Sequence, residues 1–180
     1  MRRSARTLTE PGPDEGALEL ILASATRAPD HGRLRPWRFV VIRASARARF
    51  GELLAEHLRR TQPGATAEAL ERERLKAFRA PLIVAVAAHC SSTAKIPPIE
   101  QVLSAGAAAH AMMLAAFALG FGAMWKTGGA AYDAAVKEAL GFTAADAIVG
   151  FLYFGSEPAE HSNPPRAEWR ELVRELPPTR

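Results

Sequence analysis

The stretch 102–125, VLSAGAAAHAMMLAAFALGFGAMW, limits this chain more than any other feature. It is long enough to cross a bilayer, but much of its apolarity is alanine, which transfers weakly to hydrocarbon. His110 lies within it, and Gly106, Gly120 and Gly122 interrupt it. A helix over about 99–119, buried inside a water-soluble protein and stopped by Gly120-Phe121-Gly122, accounts for the pattern better than a membrane span.

Around this helix the chain alternates between strand and helix signals. Pro13-Asp14 opens a helix whose buried face is Leu18, Ile21, Leu22 and Ala25. It ends before Ala28-Pro29, because the residue before a proline resists the helical region. Residues 30–36 carry Gly32 and Pro36 without apolar periodicity and read as a loop, and 38–42 as a strand. Phe50, Leu53, Leu54 and Leu58 share one face of a second helix, broken by Gln62-Pro63-Gly64. A charged, peripheral helix is expected over 67–78. The apolar run 82–88 after Pro81 predicts a strand covered on both faces. A short strand at 123–125, a helix at 134–140 and a strand at 147–154 follow. Pro158, Pro164 and Pro165 mark an extended tail. Within it, 167–176 is expected to form an amphipathic helix with Trp169, Leu172, Val173 and Leu176 on its apolar side. The expected class is α+β (α/β layered). One domain is expected over 1–180, with a Pro-rich tail from 157.

Composition narrows the function only by exclusion. The 180 residues are 48% hydrophobic and 23% charged, enough to bury a core without disulfides or metals. Cys90 is the sole cysteine, so no internal disulfide forms, which suits a reducing compartment. The basic start Met1-Arg2-Arg3-Ser4 is not followed by an apolar stretch, so no secretory leader is expected and the cytoplasm is the expected location. The net charge of +4 comes from scattered arginines, which attract anions but read as a solvated surface rather than a nucleic-acid patch. No P-loop, dinucleotide fingerprint or nucleophile elbow is present. The five histidines offer no metal-ligand spacing except His89 beside Cys90, and neighbours in a strand point to opposite faces. No metal is expected.

Three segments carry chemistry: Arg2-Arg3-Ser4-Ala5-Arg6; Arg27-Ala28-Pro29-Asp30-His31 with Pro36-Trp37; and Gly120-Phe121-Gly122-Ala123-Met124-Trp125-Lys126-Thr127-Gly128. In this order and spacing they resemble the FMN-binding nitroreductase family, in particular its short single-domain branch of NAD(P)H nitroreductases. The likeness extends to Phe78-Arg79-Ala80-Pro81 and Gly150-Phe151-Leu152-Tyr153 and covers about 2–156.

The resemblance implies a mixed sheet flanked by helices, and an FMN-dependent oxidoreductase drawing on NAD(P)H. Nitro compounds, quinones or similar small acceptors would be reduced by a ping-pong reaction. It implies a homodimer with FMN at the interface, neither nucleic acid nor membrane as a partner, and no catalytic acid or base, because the cofactor does the chemistry. Arg2, Arg3 and Ser4 match phosphate and ribityl contacts, for which guanidinium donors are suited. Arg27 and His31 match flavin contacts, and Trp125, Lys126 and Thr127 match a segment lying along the cofactor. A cation near the pyrimidine edge would raise the flavin's reduction potential; Lys126, Arg33 and Arg35 are the candidates. Relatives usually carry a further helix ahead of the R-R-S, which leaves Arg2 and Arg3 in an exposed terminal segment here. The alternatives are an FMN-binding protein of the same fold without nitroreductase activity, and a basic nucleic-acid-binding protein.

Overall fold

The computed structural model describes residues 2–158 and 165–176. Four strands form one sheet in the order β1-β2-β4-β3. They are β1 (Trp37–Arg43), β2 (Leu82–His89), β3 (Gly122–Lys126) and β4 (Asp146–Gly155). Among the described residues every pairing is antiparallel, so the mixed sheet implied by the resemblance is not formed within these residues. The layered α+β class stands.

The helices are α1 (Glu15–Ala25), α2 (Ala46–Thr61), α3 (Ala67–Leu75), α4 (Pro98–Ala118) and α5 (Ala134–Ala139). Their starts follow local chemistry. The Asp14 carboxylate accepts from Ala17 N at 2.8 Å, and the Thr66 hydroxyl accepts from Ala69 N at 3.2 Å. Pro98 opens α4, where its missing N–H costs nothing.

Strand β2 is buried from Leu82 to Ala88 because both faces of the sheet are covered. Leu82, Val84 and Val86 pack with Leu18 and Ile21 of α1 and Ala109, Met112 and Ala116 of α4. Ile83, Ala85 and Ala87 face the other way, with Phe50 and Leu54 of α2, Val136 of α5, and Phe151. The continuous apolar run therefore reports two-sided cover, not strand direction. Direction is set by the connections, which here return each strand antiparallel to its neighbour.

Helix α4 has the length and hydropathy of a membrane span, yet its buried face lies on the sheet and α1. Its two buried polar side chains are satisfied. The Gln101 carboxamide accepts from Ser91 N at 2.9 Å and donates to Ile96 O at 3.0 Å. The Ser104 hydroxyl donates to Pro29 O at 2.6 Å and accepts from Trp37 Nε1 at 2.9 Å. Its other face remains bare: Ile99, Leu103, Leu114 and Phe117 are exposed, at alternating helical spacing with Ala107 and His110.

The helix expected over 167–176 is not formed. A single 3₁₀ turn spans Trp169–Leu172, and Trp169, Leu172, Val173 and Leu176 are all exposed. A short helix gains its stability from packing an apolar face, and this face stays largely exposed. Pro164 of the expected tail lies outside the described residues.

A cationic cleft beside the third strand

The N-terminal segment is pinned along the outer edge of β3. Ala5 N donates to Ala123 O at 2.9 Å, and Thr9 and Ser156 exchange two backbone hydrogen bonds of 2.9 Å. Ala5 and Leu8 are buried, which fixes the segment between them. Arg2 and Arg3 are therefore held close to the sheet: Arg3 forms an ion pair with Glu157, and Arg2 O accepts from Arg166 Nη2 at 2.6 Å. Ser4 is exposed.

Trp125 is set by a bulge. The β2–β4 register shifts between Val86 and Ala87, opposite Gly150 and Ile148. The Val149 carbonyl at this irregularity accepts from Trp125 Nε1 at 3.0 Å. Lys126 ends β3, and Thr127 leads into Gly128, whose φ of 81° suits glycine alone without strain.

Beyond Lys126 and Thr127 opens a cleft of about 390 Å³. Its apolar wall is Leu54, Leu58, Ala130 and Phe151, and its polar wall includes His57, Glu73, Lys76, Arg79 and Tyr153. A second hollow, about 460 Å³, adjoins it through Arg79 and Lys126 and reaches Arg6, Thr7 and Leu8. Four cations, Arg6, Lys76, Arg79 and Lys126, thus line the two neighbouring hollows, against one carboxylate, Glu73, which is paired with Lys76. Burial pushes the Tyr153 phenol up to about 12, so it remains a proton donor. Apolar walls with a few convergent polar groups suit a flat ring, and the excess positive charge suits an anionic substituent on it.

Arg27 and His31 lie elsewhere. His31 Nδ1 sits 2.6 Å from Glu100 Oε2 in the first turn of α4. The loop around it is organised by Asp30, whose carboxylate accepts from Leu34 N at 3.0 Å and Arg35 N at 2.8 Å. Arg33 and Arg35 are held at φ 54° and 48°, a left-handed region that costs a non-glycine residue about 1 kcal/mol. The loop joins α4 through Ser104, on the flank toward β1, whereas Gly106 on the opposite flank faces the Trp125 ring. β1 and β3 are the two edges of the sheet, three strand spacings or roughly 14 Å apart. Within one chain, then, Lys126 and Thr127 reach the cleft, Trp125 packs on the opposite face of the sheet against α4, the Arg2–Ser4 segment lies along the same edge, and Arg27 and His31 are not brought to them. Of the three candidate tuning cations, only Lys126 lines the cleft.

Sequence reasoning missed Lys76 and Arg79. They close a charged segment read as peripheral, and no local pattern distinguishes a cation that faces a cleft from one in solvent. It missed the His57 pairing too, because its partner is Asp133, 76 positions away.

An antiparallel sheet covered on both faces, with a cationic cleft at the exposed end of an edge strand, defines an α+β protein built to hold a flat anionic ligand. The chain belongs to the nitroreductase family, whose sequence model matches residues 1–156. It is 43% identical over 155 residues to the Escherichia coli protein named "Putative NAD(P)H nitroreductase YdjA", covering 86% of this chain and 84% of that protein. Its fold is similar to a protein of Desulfovibrio desulfuricans crystallised in complex with FMN: 29% identity, TM-score 0.73, 98% of this chain and 92% of that one. A nitroreductase-like family protein of Bacillus cereus shares the fold at TM-score 0.82 and 24% identity, over 97% and 91% of the two chains.

Proposed function

We propose that this chain is a one-domain, homodimeric, cytoplasmic FMN-dependent oxidoreductase that draws electrons from NAD(P)H and reduces nitro compounds, quinones or similar acceptors by a ping-pong reaction. The observation that carries this reading is the cleft in which Lys126 and Thr127 meet Lys76, Arg79 and Tyr153. Its donor set fits FMN: an apolar wall for a ring system, cations for a pyrimidine edge and a phosphate, and open backbone at Gly128, where an added Cβ would touch nothing. The names of the relatives point the same way.

In this reading Arg2, Arg3 and Ser4 hold the phosphate, Lys126 and Thr127 lie along the ring, and Trp125, expected along the cofactor too, backs that segment from the α4 face of the sheet. Arg27 and His31 serve the site of a second copy, which explains why they stand on the far flank of α4. The exposed stripe Ile99, Leu103, Leu114 and Phe117 supplies an apolar surface for that copy. Bound FMN supplies hydride acceptance and delivery. The protein's part is to bind and orient it, to exclude water through Leu54, Leu58 and Phe151, and to place positive charge beside it.

The test is direct. Purified protein should be yellow, or become so with added FMN, and should oxidise NADH or NADPH in the presence of a nitroaromatic acceptor. A colourless protein that does not take up FMN would refute the reading. An FMN-loaded dimer without acceptor-dependent turnover would leave flavin binding and remove the reductase.

A further inference from the structure

One wall of the cleft carries a pair of residues that the flavin motifs do not use. His57 projects from α2, and its Nδ1 lies 2.8 Å from Asp133 Oδ2. Both side chains are mostly buried, at 17% and 14% exposed. Asp133 is itself fixed by three further roles. Its Oδ1 accepts from Val136 N at 3.0 Å, capping α5, and from Arg60 at 2.9 Å. Its backbone N–H reaches Ala130 O at 3.3 Å. A carboxylate so constrained dictates the orientation of the imidazole it holds.

His57 is one of the residues that line the cleft. Nε2 lies against Gly129, where an added Cβ would come within 2.7 Å of it, directly after the Lys126-Thr127-Gly128 segment. Among the described residues Nε2 has no hydrogen-bond partner. Holding Nδ1–H on a carboxylate makes neutral Nε2 an acceptor and protonated Nε2 a donor with a fixed direction.

We propose that His57, oriented by Asp133, is a ligand-contacting residue of this cleft that gives a proton-dependent hydrogen bond to the ring system of the flavin bound there. The inference rests on the flavin reading above and adds to it a residue outside the three flavin motifs. The charged and titratable groups facing His57 are Asp133 and Arg60 on its own flank, Lys126 beyond Gly129, and Glu73, Lys76, Arg79 and Tyr153 across the cleft. Among the described residues, Asp133 alone bonds the imidazole.

The experiment uses the full chain stripped of flavin and titrated with FMN between about pH 5 and pH 8, the window in which a histidine changes charge. Wild type, His57→Gln, His57→Leu and Asp133→Asn are compared, with unfolding of each apo-protein checked first. Gln places an amide where Nε2 stands but does not change charge, and Asn keeps an oxygen to cap α5. The FMN phosphate also titrates in this window, but equally in every variant, so the readout is the difference between profiles. We expect wild type to lose about tenfold in FMN affinity across the window beyond what His57→Gln loses, and His57→Leu to bind about tenfold more weakly than wild type at low pH. The visible absorption band of bound FMN should shift with pH in wild type but not in His57→Gln, and Asp133→Asn should reduce the shift. Superimposable affinity and absorption profiles for wild type and His57→Gln would overturn the proposal, as would an affinity difference with no change in the ring's absorption. Failure of every variant, wild type included, to bind FMN would instead overturn the flavin reading itself.

Discussion

Trp125 lies directly over Gly150: a Cβ at position 150 would stand 2.1 Å from Trp125 Nε1. The missing side chain is what allows an indole from the edge strand to cross its neighbour and donate to Val149 O at 3.0 Å. Gly150→Ala should therefore cost about 1–3 kcal/mol, the usual penalty of overpacking, because Lys126 O, 3.1 Å from the same Cβ, blocks the retreat. Near-ultraviolet circular dichroism should report the displaced indole, and FMN should bind more weakly because the Trp125–Thr127 segment moves with it. An unchanged dichroism spectrum and full stability would show that the ring has room the geometry denies.

Arg3 and Glu157 form an ion pair at the phosphate-binding end of the proposed site. The two residues should act in opposite directions. Arg3→Ala removes a charge-assisted donor and should weaken FMN binding by about tenfold to a hundredfold. Glu157→Gln removes the competing carboxylate and should strengthen it, with a steeper salt dependence. Fluorescence quenching of FMN measures both. Equal weakening in the two variants would mean the pair orders the terminus and does not grip the phosphate.

Much of this arrangement was visible in the sequence, and the losses have physical reasons. Periodicity and turn residues located the four strands and α1 to α5: α1 and α2 by one apolar face, β2 by an apolar run, and α3 only as a charged stretch between breakers. It did not give strand direction, since Leu82 to Ala88 would read the same in any sheet covered on both sides. The tail failed for the opposite reason: Trp169, Leu172, Val173 and Leu176 have helical spacing but stay exposed, without a buried face among the described residues to hold a helix. Site residues within a motif, such as Lys126 and Thr127, could be named. Those joined only by folding could not: Lys76 and Arg79 look like solvent charges, and His57 gains meaning only from Asp133.

Two carboxylates should govern acid stability. Burial raises the Asp133 carboxyl, but hydrogen bonds from His57, Val136 N and Arg60, with the Arg60 charge, outweigh it and hold it at about 2. Asp146 is lowered too: burial opposes this, and bonds from Thr143 N, His89 and the Thr143 hydroxyl overcome it. His89 Nδ1 and Asp146 Oδ1, paired across the β2–β4 ladder, are 2.7 Å apart. Both folded values lie below the ordinary 3.8, so their contribution is complete above that pH and is lost as pH falls through the folded values. Stability should therefore drop between about pH 4 and pH 2, by roughly 1–2 kcal/mol for Asp133. In Asp133→Asn that part of the drop should vanish from denaturant titrations run across the acid range. A wild-type drop that Asp133→Asn leaves intact would assign it to other groups.

The bare stripe on α4 tests the dimer. Ile99 and Leu103 are exposed by 62% and 63%, on the helix that separates the Arg27–His31 loop from Trp125. If a second copy covers this stripe, a charge at its centre has to be buried without a partner, which costs several kcal/mol. Leu103→Glu should then yield monomers in sedimentation at micromolar concentration. In the monomer the FMN site would keep Arg2, Arg3, Ser4 and Lys126 but lose Arg27 and His31 of the second copy. FMN affinity should fall with dissociation, and it should fall as much in a wild-type sample diluted until it dissociates. A Leu103→Glu monomer that keeps wild-type FMN affinity would show that the site is complete within one chain, and that Arg27 and His31 have no part in it.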